Sequence, residues 1–140
     1  MTQESREERA TIILHSGAYD RASFALSLAL GALALGMEVD MLLTYEGLLR
    51  FTKGHLADLG EETSPMVRES FEIGLQSGGI QTLGNRVIEA KALGLKVYAC
   101  PALMAVLGIS EDELAAEVDG VMGVVTFTAI ARNAAINWYI

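Results

Sequence analysis

At 140 residues, 51% of them hydrophobic and 20% charged, the chain fits one domain that can bury a core without disulfides or a structural metal. Ten basic residues against 18 acidic ones give a formal net charge of −8. With no lysine or arginine cluster, this excludes a nucleic-acid binder that neutralises phosphates and disfavours docking on an anionic membrane surface.

The single cysteine excludes an intrachain disulfide, a CxxC pair and a multi-cysteine zinc site. His15 and His55 are the only histidines and have no metal-ligand spacing, so neither metal nor cofactor is expected. A mean hydropathy of +0.35 is high for a soluble monomer. It points to a face buried against another subunit, or to a membrane association that the sequence leaves unproven. The longest uncharged run, Ala22 to Met37, holds sixteen residues, short of the roughly 20 that a spanning helix needs. "MTQESREERA" is polar and acidic where a signal peptide would be basic and then apolar, so the cytoplasm is the default location.

In chain order, residues 1–9 read as a disordered charged tail, and 10–140 as a single domain. "ATIILHSG" (10–17) is a β-branched run closed by a turn signal, the first expected strand. Asp20 is placed to cap a helix from Arg21 to Leu35 that stops at Gly36. That helix is apolar nearly all round, which implies burial on both sides and hence a subunit interface. "MEVDMLLTYEG" (37–47) is a second strand ending at Thr44, and 48–61 is weakly helical. Ser64-Pro65 opens a helix to Gln76, and another spans Gln81 to Leu93. "LKVYA" (95–99) is the third strand, ending against Cys100. A short helix follows, and Ser110 with Glu113 suggests a capping box for a helix over 111–117. "VDGVMGVV" (118–125) reads as a fourth strand, Thr126 as the cap of a helix to Asn133, and "AINWYI" (135–140) as a last strand. Alternating strands and helices without hairpin signals predict an α/β fold: an open, mainly parallel sheet of about five strands with helices on both faces.

In such sheets the functional crevice lies beyond the carboxyl ends of the strands. His15, Ser16, Thr44, Tyr45, Glu46, Cys100 and Gly123 all fall on that side. Pro101 bars its predecessor from the helical region, so Cys100 is extended and occupies an N-cap position. A thiolate there could accept from the amides of Ala102 and Leu103, and a helix N-terminus favours that charge. A buried cysteine acting as a small hydrophobe is the competing role. His15 could relay a proton or merely close a turn. Ser16, Thr44 and Glu46 could line a pocket or form turns and caps. Tyr98, two residues before the cysteine, is expected in the core, and His55 on the surface.

"ILHSGAYDRASFALSLALGALALGMEVDMLLTYEGL", "LGLKVYAC" and "VDGVMGVVTFTAIA" together resemble the DsrE/DsrF-like family of sulfur-handling proteins, especially the branch labelled peroxiredoxin-like. The resemblance covers most of the chain, with 48–80 poorly matched. It implies a three-layer α/β/α fold and a homo-oligomer (trimer, tetramer or hexamer). It also implies a cysteine, here Cys100, that carries sulfane sulfur as a persulfide between a protein donor and an acceptor thiol. That chemistry needs one thiol and no cofactor. The alternative is a non-catalytic assembly or small-ligand-binding subunit with a structural Cys100. Thiol peroxidase chemistry is disfavoured because no second cysteine can resolve a sulfenic acid.

Overall fold

The computed structural model describes residues 8–60 and 63–140. Its centre is a five-stranded sheet of β1 (Arg9–Leu14), β2 (Glu38–Leu43), β3 (Lys96–Ala99), β4 (Gly120–Val121) and β5 (Ile136–Tyr139), in the order β4-β3-β2-β1-β5. Every pairing is parallel, as the alternating pattern predicts.

Alternation along the strands gives the sheet two unequal faces. Ile12, Leu14, Val39, Met41, Leu43, Val97 and Ala99 build the larger core. Onto it pack α1 (Tyr19–Ala34) and α4 (Leu83–Ala92), with α3 (Pro65–Ser77) set against them through Phe71 and Leu75. Ile13, Leu42 and Tyr98 point the other way, toward Phe127 of α6 (Val124–Ala131). Crossover handedness explains the division. The steps β1→β2→β3 run in one direction, so right-handed connections put α1 and α4 on one face. The return from β4 to the far side of β1 runs backwards and puts α6 on the other. Burial on both faces also makes β2 read as a nearly continuous apolar run.

α1 meets the sheet and α4 through Ala22, Ala25, Leu26, Ala29 and Ala32. Its apolar remainder is only partly covered within one chain: Phe24 is 59% exposed. The helix starts at Tyr19, so Asp20 lies inside the first turn and does not cap it. The cap is divided between Ser16, whose Oγ accepts from the Ala18 N–H at 3.2 Å, and Thr63, whose Oγ1 accepts from the Tyr19 N–H at 3.0 Å. Local sequence could not show this, because Thr63 arrives from a distant segment.

Other boundaries also shift. The expected charged tail lies outside the described residues except for its last two, and Arg9 opens β1 and ion-pairs with Glu38 and the buried Asp40. Of the weakly helical 48–61 only residues 48–50 are helical, as the end of α2 (Tyr45–Arg50), which starts straight from β2. The helix expected over 111–117 is only a 3-10 turn at Glu111–Glu113. Ser110 and Glu113 do meet, but side chain to side chain at 3.2 Å. The chain then extends, because Leu114 bridges Thr52 and the Ala115 N–H donates to the Phe51 carbonyl at 2.7 Å. These long-range backbone bonds override the local helix signal. The fourth strand shrinks to two residues, partly because the Asp119 carboxylate takes the Val97 N–H at 2.7 Å. Gly123, not Thr126, is the N-cap of α6. Among the described residues no helix is long and apolar enough to cross a membrane.

Candidate functional site

Cys100 closes β3 at the carboxyl edge of the sheet, where the sequence places it. Its N–H donates to the Leu43 carbonyl at 3.1 Å, and its own carbonyl accepts from the Met104 N–H at 3.0 Å. It is thereby fixed as the extended N-cap (φ −75°, ψ 116°) of α5 (Pro101–Leu107). The thiol, however, makes no capping hydrogen bond, so the expected bonds to the amides of Ala102 and Leu103 are not formed here. Cys100 is instead 1% exposed and packs with Leu42 and Phe127, ringed by Ile13, Tyr98, Leu103 and Met122. Leu103 thus supports the site through its side chain, while Pro101 and Ala102 face solvent.

Phe127 is the one buried residue of α6 and sits in the Cys100 cluster at 1% exposure. The rest of that helix is apolar but open: Val125 is 85% exposed. α5 is similar, an uncharged helix with Met104 as its buried residue. The thiol therefore lies under thin apolar cover.

Tyr98 is on the same strand face. Burial pushes its phenol above the ordinary range, and the carboxylates of Asp40 and Asp119 add to that. A phenol that holds its proton more tightly when folded contributes stability below the unfolded value of about pH 10, lost as pH rises through the higher folded value. Tyr98→Phe is therefore expected to flatten the loss of thermal stability as pH rises above about 10. Parallel melting curves for the wild type and the variant would reject this burial effect.

Of the other candidate residues, Thr44 follows β2 on the neighbouring strand, level with Cys100, and His15 and Ser16 lie one strand further. His15 follows β1, and all of β2 separates it from Cys100. Two strand spacings amount to about 9–10 Å, too far for a direct proton transfer. Its imidazole instead stacks on Tyr45, with centroids 4.4 Å apart at 28°, and tilts against Tyr139 at 5.9 Å and 36°. Tyr45 is held at φ +49°, a left-handed conformation that costs a bulky residue about 1–3 kcal/mol. Thr44 is the N-cap of α2, without a side-chain capping bond, and Ser16 is occupied by the turn before α1.

Glu46 opens outward from the first turn of α2 and helps line an open cavity of about 470 Å³ with Gly17, Leu49, Arg50, His55 and Asp58. His55 is exposed, as expected. Arg50 is buried behind it. Its guanidinium donates to the carbonyls of Gly17 (2.7 and 2.9 Å), His55 (2.8 Å) and Asp58, and so ties the segment after α2 to the end of β1. Sequence reading passed over Arg50, although an arginine inside the apolar run "GLLRF" was a usable signal. Among the described residues no cluster of His, Cys, Asp and Glu is disposed to hold a metal ion.

Fold and site together define a small three-layer α/β protein with a parallel sheet and one cysteine at its carboxyl edge. No family model matches the chain. The uncharacterized protein YrkE of Bacillus subtilis (strain 168) is 29% identical over 165 residues, covering 100% of both chains. Among solved structures, the ychN protein of E. coli superposes with a TM-score of 0.60 at 13% identity, covering 94% of this chain and 99% of that one. MTH1491 of Methanobacterium thermoautotrophicum, a protein of unknown function, gives 0.59 at 14% identity, covering 94% and 98%. BT1422 of Bacteroides thetaiotaomicron gives 0.59 at 13%, covering 98% and 99%. At these identities the likeness establishes the shared fold.

Proposed function

We propose that the protein is a cytoplasmic sulfur carrier of the DsrE/DsrF-like type, with Cys100 as the sulfur-bearing group. The observation that carries this is the placement of the chain's only cysteine at the carboxyl end of β3, as an extended N-cap locked by Leu43 and Pro101. In parallel sheets that edge is where ligands and reacting groups gather. The resemblance of "LGLKVYAC" to the family supports the same residue.

The chemistry is thiol–persulfide exchange. The Cys100 thiolate attacks the outer sulfur of a donor persulfide, the donor's S–S bond breaks, and the donor leaves as a thiolate. An acceptor thiolate then takes the outer sulfur from Cys100–S–SH, and the Cys100 thiolate is the leaving group. Neither step needs an external oxidant or reductant. Self-association fits the same reading: the open apolar surfaces of α5 and α6 carry no charged residue, so copies of a chain with net charge −8 could meet there with least repulsion.

One observation favours a second reading, a binding or assembly subunit with a structural cysteine: Cys100 is buried and packed with Phe127 and Leu42. Intact mass after exposure to a small persulfide donor separates the two. A carrier gains one sulfur, removable by reductant and absent in Cys100→Ala. No gain from several donors would make the thiol structural.

A further inference from the structure

The rings of Tyr45, His15 and Tyr139 take no part in the thiol exchange proposed above: Tyr45 follows β2, the neighbour of β3, and stacks on His15, while His15 and Tyr139 lie two and three strands from Cys100. They come from three separate segments and meet where β1, β2 and β5 end. The strand order also reverses at this place. β1 to β4 step outward in one direction, and β5 is then laid on the opposite side of β1. In open parallel sheets the crevice at such a reversal is the usual ligand position. The edge is firmly built, since the N–H groups of His15 and Ser16 donate to the Ile140 carbonyl at 2.7 and 3.2 Å.

Core packing does not account for the arrangement. Tyr45 is 50% exposed and Tyr139 70%, yet the backbone at Tyr45 is held at φ +49° with its ring on His15. Strain maintained for a half-exposed ring is a mark of function more than of stability. We propose that Tyr45, His15 and Tyr139 form a recognition site for a planar organic cation. Planarity follows from the stacking of His15 on the half-exposed Tyr45 ring, a stack that a flat ligand would continue. Positive charge follows from the electron-rich phenol faces and from the absence of lysine and arginine in 13–17, 43–47 and 137–140, the Arg50 guanidinium that reaches Gly17 being taken up by backbone carbonyls. An anion would find no counter-charge in those segments.

The test is an NMR titration of the full chain with 1-methylnicotinamide, following the ring protons of His15, Tyr45 and Tyr139. Nicotinamide (planar, neutral), nicotinate (planar, anionic) and tetramethylammonium (cationic, not planar) are the comparators. The expected result is a saturable shift of all three rings with 1-methylnicotinamide, at least about threefold tighter than with nicotinamide and absent with nicotinate. Tyr139→Ser, at an exposed position, and Tyr45→Asn, which tolerates the left-handed backbone, should each weaken binding at least about threefold. Cys100→Ala should bind as the wild type does, so failure of the sulfur-carrier reading would leave this site standing. The proposal is overturned if the rings show no saturable shift, if nicotinate binds as well as the cation, or if tetramethylammonium matches it.

Discussion

Gly47→Ala is expected to cost about 3–5 kcal/mol and lower the melting temperature by roughly 10–20 °C. A Cβ at position 47 would lie 2.2 Å from the Leu14 carbonyl oxygen and 2.9 Å from its carbon, both backbone atoms. Gly17 repeats the constraint from the other side, its Cβ position being 2.7 Å from the Glu46 carbonyl oxygen. The first turn of α2 and the end of β1 therefore touch backbone to backbone. A methyl group could enter only if α2 moved away. That shift would break the bond from the Gly47 N–H to the His15 carbonyl (3.0 Å), draw Leu48 and Phe51 out of the core and pull Arg50 off Gly17. Gly31→Ala is the control. It lies in α1 with nothing within 4 Å of its Cβ position, so alanine there should stabilise by about 0.5–1 kcal/mol. Thermal denaturation of the two variants checks both signs. A Gly47→Ala protein melting within about 2 °C of wild type would mean that the two backbones are not pressed together.

The parts of this fold legible in the sequence were those fixed by local chemistry or by burial on two faces. β2 shows as "VDMLL" because both of its sides are covered, and α5 shows because proline at 101 dictates the conformation of Cys100 as well as the helix start. The parts that were not legible depend on groups brought from far along the chain. Ser110 and Glu113 carry a sound helix-start signal, but the backbone of Phe51 holds Ala115 extended. Asp20 looks like a cap, but Thr63 does that work. The site follows the same rule. The place of Cys100 could be read from Ala99-Cys100-Pro101. Its thiol's surroundings could not, because Phe127 reaches it only through the backward crossover of α6. Tyr45 could be assigned to a strand end, yet its partnership with His15 and Tyr139 requires knowing that β5 lies beside β1.

Cys100 in the folded protein is expected to react with iodoacetamide about 10²–10³ times more slowly than in the unfolded chain, through local release of α6. The helix is held down chiefly by Phe127, and burying one phenylalanine contributes about 3 kcal/mol. Opening α6 alone is then far cheaper than unfolding a domain, which takes about 5–15 kcal/mol and would slow the reaction by more than about 10³-fold. Phe127→Ala removes the anchor and should speed labelling about 10-fold or more, with Phe127→Leu in between. Val87→Ala weakens the opposite core, where Val87 of α4 is fully buried. It should lower global stability by about 1–3 kcal/mol while leaving the labelling rate nearly unchanged. Low concentrations of urea should likewise have little effect, because local release exposes little surface. If Val87→Ala instead accelerates labelling in proportion to its loss of stability, the thiol is reached only by unfolding, and Cys100 is a core residue. If it does not, α6 is a cover that a sulfur donor could displace at modest cost, and the burial of Cys100 is compatible with its use as a carrier.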